Sequence, residues 1–480
     1  MSLKLQIVNS IKWQVGATVG QKIVSFGVAI ILARYLGPSV FGLFGLTLVV
    51  MGSFELFKSI GIDTALMREK DNFEKAANTA FIIIPLLGVA LFLLLNLSAP
   101  YIGRFLNNQE LVPIIRIIGI VFVISCFARV PAVLLERDMK FRELSIVEFV
   151  ASVLFSIVAL ILAFMEYGVW SLVYAYIIKT LVNMVMVWTY AKWKPSFEFD
   201  KKIVLKMFNF GKYILLSSVV WFLKMNLDNF LVGKLLGITM LGYYAVAFNI
   251  SNFLADYFGS KVYRVTYPAY SFLQDSIGDL RTAFLKTLKY VSIVAIPFGV
   301  GIILLGGDFL KLAYGEKWFG ATGVLKILAL GGIFNTLPAS LGALLLACGK
   351  ARLTFWITLF QVAIFFVFIA PMVKIFGLNG VGIVVSISGF IAFLVGLVWV
   401  MKFLFIDTKQ ILFTLRPSLF SSLLMGIAVI FLKYILAHSL SGIKFYYNFI
   451  ILLFFAIAIY GFSLLRIERI IFREIKEMIL

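Results

Sequence analysis

Residues 77–98 read ANTAFIIIPLLGVALFLLLNLS, a run of 22 residues without a charge. At a rise of about 1.5 Å per residue, a helix of this length crosses the ~30 Å hydrocarbon core of a bilayer. Lipid offers no partners to backbone N–H and C=O groups, so the run must satisfy them internally, as a helix does. A barrel strand would alternate apolar and polar residues, and this run is continuously apolar from Ala80 to Leu95. Similar runs recur along the whole chain. They fall at 11–34, 40–62, 77–98, 111–135, 144–165, 168–190, 209–232, 240–262, 287–306, 321–347, 353–375, 379–401, 417–437 and 445–465. The predicted fold class is therefore an all-α polytopic membrane protein of 14 transmembrane helices. The longest polar stretches, near 191–207 and 263–286, are too short for a soluble domain.

Composition agrees. Of 480 residues, 62% are hydrophobic and only 14% are charged, too few to cover a soluble globule of this size. The net charge of +20 would suit nucleic acid on a soluble protein. Here the basic residues lie in short connections between apolar runs, so no nucleic-acid partner is expected. Cys126 and Cys348 lie in apolar stretches without a CxxC motif, and His438 is the sole histidine, so neither a disulfide framework nor a metal site is expected. No cofactor motif occurs. Met1–Ser10 is weakly polar and no small-residue cleavage site follows the first run, which reads as a retained helix.

The basic residues set the expected orientation. With the N-terminus inside, 28 Lys and Arg residues fall in inside connections and termini. Only seven fall outside: Arg34, Arg104, Lys234, Lys311, Lys317, Lys374 and Lys444. The positive-inside rule then predicts that both termini are cytoplasmic.

The chain also repeats itself. Arg34-Tyr35-Leu36-Gly37-Pro38-Ser39-Val40-Phe41-Gly42-Leu43-Phe44 aligns without a gap on Lys234-Leu235-Leu236-Gly237-Ile238-Thr239-Met240-Leu241-Gly242-Tyr243-Tyr244, 200 residues later. Weaker echoes pair Leu134–Arg142 with Leu345–Leu353 and Tyr167-Gly168 with Phe376-Gly377. We therefore expect a six-helix lobe over 1–207, a second over 208–404, and two extra helices with a cytoplasmic tail over 405–480. An even number of spans per repeat leaves both lobes the same way up, related by an axis along the membrane normal. Gly16 and Gly20 form a GxxxG pair in the first span.

Charges within the spans point to function. The cations are Lys22, Lys58, Arg116, Arg129, Lys179, Lys224, Lys326 and Lys433; the acids are Glu55, Glu148, Asp228 and Asp256. Each costs about 2.5–3.5 kcal/mol at the membrane centre even on an insertion scale. Residues near span ends escape by snorkelling, an open reading for Lys58, Arg129, Glu148, Asp256, Lys326 and Lys433. Lys22, Lys179 and Lys224 sit near the middle of their spans. The cationic surplus suits an anionic ligand, with Lys22, Lys224, Lys179 and Arg116 as candidates for binding its headgroup. Asp228, Asp256 and Glu55 are candidate ion carriers. A structural reading competes: Glu55 and Lys58 are spaced i, i+3, and Lys224 and Asp228 i, i+4, so each pair could neutralise itself. No GxxxxGK[ST] phosphate loop occurs, so active transport would draw on an ion gradient or on consumption of the product.

The pattern Ala33-Arg34-Tyr35-Leu36-Gly37-Pro38 and Phe41-Gly42-Leu43-Phe44, with Gly61-Ile62-Asp63, Leu66-Met67-Arg68 and Asn226–Gly237, resembles the Wzx-type polysaccharide flippases. These are the polysaccharide transporters of the multidrug/oligosaccharidyl-lipid/polysaccharide exporter superfamily. The resemblance implies a two-lobed, V-shaped bundle working by alternating access in the plasma (inner) membrane. It implies a lipid-linked oligosaccharide on undecaprenyl diphosphate as cargo, H+ or Na+ as coupling ion, membrane lipids as surroundings, and a monomer. Two relatives of the same superfamily stay open: a lipid-linked peptidoglycan-precursor flippase and a drug or cation antiporter. The antiporter would favour an acidic cavity. A membrane polymerase or glycosyltransferase would carry an external loop or an acid–base constellation, and neither is seen.

The charge bias makes a direct prediction. After replacement of Cys126 and Cys348, a cysteine at Gly315 should react with a membrane-impermeant thiol reagent on intact cells, and one at Ser196 should not. The opposite pattern would invert the orientation.

Overall fold

The computed structural model describes residues 3–58, 61–69, 72–439 and 445–468; the side chains at 3–24, 206, 209–214, 217 and 437–439 lie outside the described residues. Among the described residues every regular element is helical. The chain packs as two units, Met1–Gly242 and Tyr243–Leu480. The first contains α1 (Leu3–Glu55), α2 (Ile62–Arg68), α3 (Phe73–Phe105), α4 (Leu111–Ile118), α5 (Ile120–Arg137), α6 (Phe141–Phe164), α7 (Val169–Ala191) and α8 (Lys201–Leu236). The division falls inside α9 (Ile238–Ser251). The second unit continues with α10 (Ser260–Leu273), α11 (Ile277–Phe309), α12 (Thr322–Thr336), α13 (Pro338–Ala347), α14 (Ala351–Leu404), α15 (Thr408–Ser439) and α16 (Phe445–Ile467). Among the described residues ten helical stretches are long and apolar enough to cross a membrane, or 11 if the bent pair Ile238–Ser251 and Ala255–Leu273 is one span. This is a polytopic all-α membrane protein.

Two of the long helices are broken within. In α1, Gly37 stands at φ 77°, ψ 176°. That region favours glycine, and Pro38 then restarts the helix with a fixed φ and no N–H to leave unpaired. The expected turn between two runs is thus a single residue. Gly237 repeats the geometry at φ 86°, ψ 174°, between α8 and α9. The 200-residue echo in sequence is therefore an echo in backbone conformation. Gly168 and Gly377 also match, at φ 56°, ψ −128° and φ 57°, ψ −132°. So do the caps after α5 and α13: the Lys140 amide donates to Leu135 O at 2.9 Å, and the Lys350 amide to Leu345 O at 2.7 Å. The residue before each cap has positive φ, 57° at Met139 and 70° at Gly349.

The two glycine breaks meet in the first unit. A Cβ on Gly42 would stand 1.7 Å from the carbonyl oxygen of Ile238, and one on Gly242 would stand 1.9 Å from that of Pro38. Position 42 meets position 238 and position 242 meets position 38, a local two-fold exchange between repeated segments. Backbone touches backbone there, and only glycine fits.

Elsewhere in this unit small residues allow close helix contact. Ala159, Ala163 and Ala175 are buried with Leu32 and Leu172 where α1, α6 and α7 pack. The short α2 buries Ile62 and Leu66 against Ala76, Ala80, Cys126, Val130 and Met207 from α3, α5 and α8. The polar stretch after α7 is held down as well: the Asn78 side chain donates to Ser196 Oγ at 2.6 Å and accepts from the Ser196 amide at 3.0 Å.

In the second unit α15 and α16 are fastened to α11. Leu305, Met425, Val429, Leu436, Leu452 and Ala456 form one buried cluster. Tyr460 Oη donates to Ile293 O at 2.7 Å, Ser418 Oγ donates to Ser292 Oγ at 3.0 Å, and Lys289 pairs with Glu468.

Two predictions follow from backbone geometry. Gly315 sits at φ 93°, so a cysteine there would be strained, and the neighbouring exposed Glu316 is the better outside reporter for the labelling experiment above. Gly42→Ala and Gly242→Ala should each destabilise the purified protein by about 1–3 kcal/mol through forced separation of backbones. Gly27→Ala, where no atom lies within 4 Å of the added Cβ, should be close to neutral. Thermal unfolding in detergent measures all three.

Candidate functional site

Five of the seven sequence-nominated residues can be followed in the first unit. Lys224 lies on α8, half-buried. Thirteen residues separate it from the Gly237 break, a rise of about 20 Å along the helix. Asp228, one turn further on, is only 8% exposed. The two do not pair. Asp228 Oδ1 instead accepts the backbone N–H of Asn229 at 2.8 Å and its side-chain amide at 3.3 Å. Among the described residues no carboxylate comes within ion-pair distance of the Lys224 ammonium. Helical spacing permitted the neutral pair, and side-chain direction prevents it.

Glu55 behaves the other way. It ends α1, and its Oε1 accepts from Lys58 Nζ at 2.7 Å, with Lys58 more buried than its partner. The local pair expected from i, i+3 spacing is formed. The Glu55 charge is close enough to act on Tyr176 of α7 and, with that of Lys58, on Cys126 of α5. Lys179, half-buried, follows Tyr176 by one turn on the same face of α7. The first unit thus brings Glu55 and Lys58 near Tyr176 of α7 and Cys126 of α5. Arg116 is exposed in the last turn of α4. The Lys22 side chain, and the Gly16–Gly20 pair, lie outside the described residues.

Asp256 belongs to the second unit. It is exposed in a π-helical turn, Ala255–Gly259, where the run from α9 to α10 bends by 46°. Such turns displace backbone hydrogen bonds and recur at functional sites. One turn earlier, buried Asn252 accepts from the Asn335 side chain at 2.8 Å. This amide pair was not legible in the sequence, since 83 residues separate its members.

Two other cations nominated within the spans find acids. Arg129 donates to Asp63 Oδ2 through Nε at 2.8 Å and Nη2 at 2.6 Å, and reaches Glu136 at 3.4 Å. This clamp fastens α2 to α5. Lys433 pairs with Asp308 at 2.5 Å. Snorkelling is therefore not the whole account of Arg129 and Lys433; each is fixed by a partner far along the chain. Among the described residues no cluster of His, Cys, Asp or Glu is suited to hold a metal ion.

Comparison with known proteins agrees with this architecture. The sequence pattern of a family described as "Polysaccharide biosynthesis protein" matches residues 31–322. The teichuronic acid biosynthesis protein TuaB of Bacillus subtilis is 30% identical over 304 residues, 63% of each chain. The lipopolysaccharide biosynthesis protein WzxC of Escherichia coli is 24% identical over 369 residues, 76% of this chain and 75% of its own. Among solved structures, the lipid II flippase MurJ in an inward closed conformation superposes with a TM-score of 0.77 at 16% identity, covering 96% of this chain and 99% of that one. An inward-facing multidrug resistance MATE family transporter of the MOP superfamily gives 0.62 at 19% identity, covering 79% and 94%. These likenesses establish the shared fold. With residues 31–322 matched across both glycine breaks, the chain belongs to the polysaccharide biosynthesis protein family.

Proposed function

We propose that the chain is a transporter, not an enzyme, that carries a lipid-linked oligosaccharide across the plasma membrane. The carrier lipid in this reading is undecaprenyl diphosphate, and movement runs from the cytoplasmic to the outer leaflet, with both termini cytoplasmic. The working form is a monomer of 14 spans. Two six-helix lobes, 1–207 and 208–404, alternate access to a V-shaped space, and 405–480 adds two helices and a tail. Support for two equivalent lobes comes from the matched backbone at Gly37 and Gly237 and at Gly168 and Gly377. Breaks at Gly37 and Gly377 also divide the two longest helices, of 53 and 54 residues, into span-length pieces.

The observation that carries the reading is Lys224. An ammonium without an ion-pair partner among the described residues, half-buried on α8, is costly unless an anion comes to it. A diphosphate leaving water needs such charges, and lysine supplies one without the bidentate grip of arginine. Lys22 is its counterpart in this scheme, lying 15 residues before Gly37 where Lys224 lies 13 before Gly237, in the opening helix of the other half. Lys179 and Arg116 are secondary candidates. Relatives named for teichuronic acid and lipopolysaccharide support recognition of a shared anionic carrier over any one sugar.

Polymer export in cells with equal protein abundance tests the headgroup role. Lys22→Ala and Lys224→Ala should each lower export at least tenfold, and Lys22→Arg should partly restore it. Normal export from both alanine variants would remove the proposal. Coupling to H+ or Na+ rests on Asp228 and Asp256, with Glu55 third because Lys58 already neutralises it. Asp228→Asn or Asp256→Asn should abolish the dependence of transport on the ion gradient while substrate binding persists. Gradient-dependent transport in both variants would refute the assignment.

A further inference from the structure

We propose that the first unit holds a binding site for a single-chain isoprenyl phosphate, with its tail in an apolar cavity between α1, α3 and α8 and its phosphate on Lys234 and Arg104. The choice of an isoprenyl lipid rests on the cargo class proposed above; the cavity and its charges do not.

The cavity has a volume of about 290 Å3 and is lined chiefly by Phe54, Phe105, Phe222, Leu227 and Phe230. Its two polar lining residues are turned to their own helices. Ser53 Oγ donates to Val50 O at 2.7 Å, and Asn226 Nδ2 donates to Phe222 O at 3.1 Å. A water molecule inside would find few of the two to four partners it needs, so the natural occupant is hydrocarbon. The volume is at the small end for ligand pockets. It suits part of one chain and not the paired chains of a phospholipid. Lys224 and Asp228 are not among the lining residues, so this site is distinct from the headgroup position argued above.

Positive charge collects at one end. Phe105 and Phe230 stack with centroids 6.1 Å apart, and Lys234 Nζ lies 3.5 Å from the Phe105 centroid. Arg104, the residue before Phe105, is exposed. Among the described residues neither cation has an ion-pair partner. Both belong to the seven basic residues expected on the outside, where the positive-inside rule gives no reason for them. A partly open apolar cavity lined by aromatic rings, with Lys234 over one of them and exposed Arg104 next to it in the chain, is complementary to a lipid with one chain and a phosphate. On the proposed orientation the site faces the outer leaflet.

The test is direct binding to the purified full-length protein in detergent, read by native mass spectrometry. The probes are undecaprenyl phosphate, undecaprenol and phosphatidylglycerol. Undecaprenyl phosphate should bind the wild type more tightly than either of the others. Lys234→Gln and Arg104→Gln should each weaken it about tenfold, the usual loss for a charged hydrogen-bond donor, and should leave undecaprenol unaffected. Leu227→Trp, which fills the cavity, should weaken both isoprenyl probes. Its unfolding temperature must match the wild type, and Leu227→Phe serves if it does not. Unchanged binding in a folded cavity-filling variant would overturn the site. So would phosphatidylglycerol binding as tightly as undecaprenyl phosphate. Because these assays read the carrier without its oligosaccharide and without translocation, their failure is separable from failure of the export experiment on Lys224.

Discussion

Backbone contact between Gly42 and Ile238, and between Gly242 and Pro38, is the constraint around which the first unit is arranged. Helices in lipid gain nothing from excluding water between them, since the tails around them are as apolar as leucine. Close packing and matched shape must do that work. A pair of glycines placed symmetrically lets two broken helices cross at the smallest possible separation. The positive-φ breaks at Gly37 and Gly237 aim the segments into that crossing. Once it is formed, α1 is committed to α6 and α7 on one side and to α8 on the other.

Charges are arranged with the same economy. Arg129 spends two donors on one oxygen of Asp63 and thereby holds α2 in place. Lys433 and Asp308 join α15 to α11. Lys224 on α8, half-buried, has no ion-pair partner of this kind among the described residues, and neither have Lys234 and Arg104 near the cavity.

Much of this could be read from residue order alone. Continuous apolar runs specify helices across lipid, and a gapless 11-residue echo specifies repeated breaks. Glu55 and Lys58 pair as their spacing indicates, because both partners lie within one turn. Lys224 and Asp228 have equally favourable spacing and do not pair, since the Asp228 carboxylate turns to Asn229. Spacing identifies which side chains can meet and leaves their direction undetermined. Contacts across long separations were invisible for a simpler reason. Arg129 and Asp63 are 66 residues apart, and Asn252 and Asn335 are 83 apart, so only packing brings them together. The apolar cavity was equally hidden, because Phe and Leu on a membrane helix look the same whether they face lipid or a void.

The fastening of α15 and α16 has a mechanical meaning. Tyr460, Ser418, Lys433 and Lys289 all bond across to α11 or join it to the chain just beyond α16, and a shared apolar cluster fills the space between. Three helices held this way travel as one plank. Any change in the shape of the second unit must pivot elsewhere, with the π-helical turn at Ala255–Gly259 the evident weak point. Leu423, Ile427, Phe431 and Phe454 are exposed along α15 and α16, an apolar flank that this fastening would carry as one rigid surface.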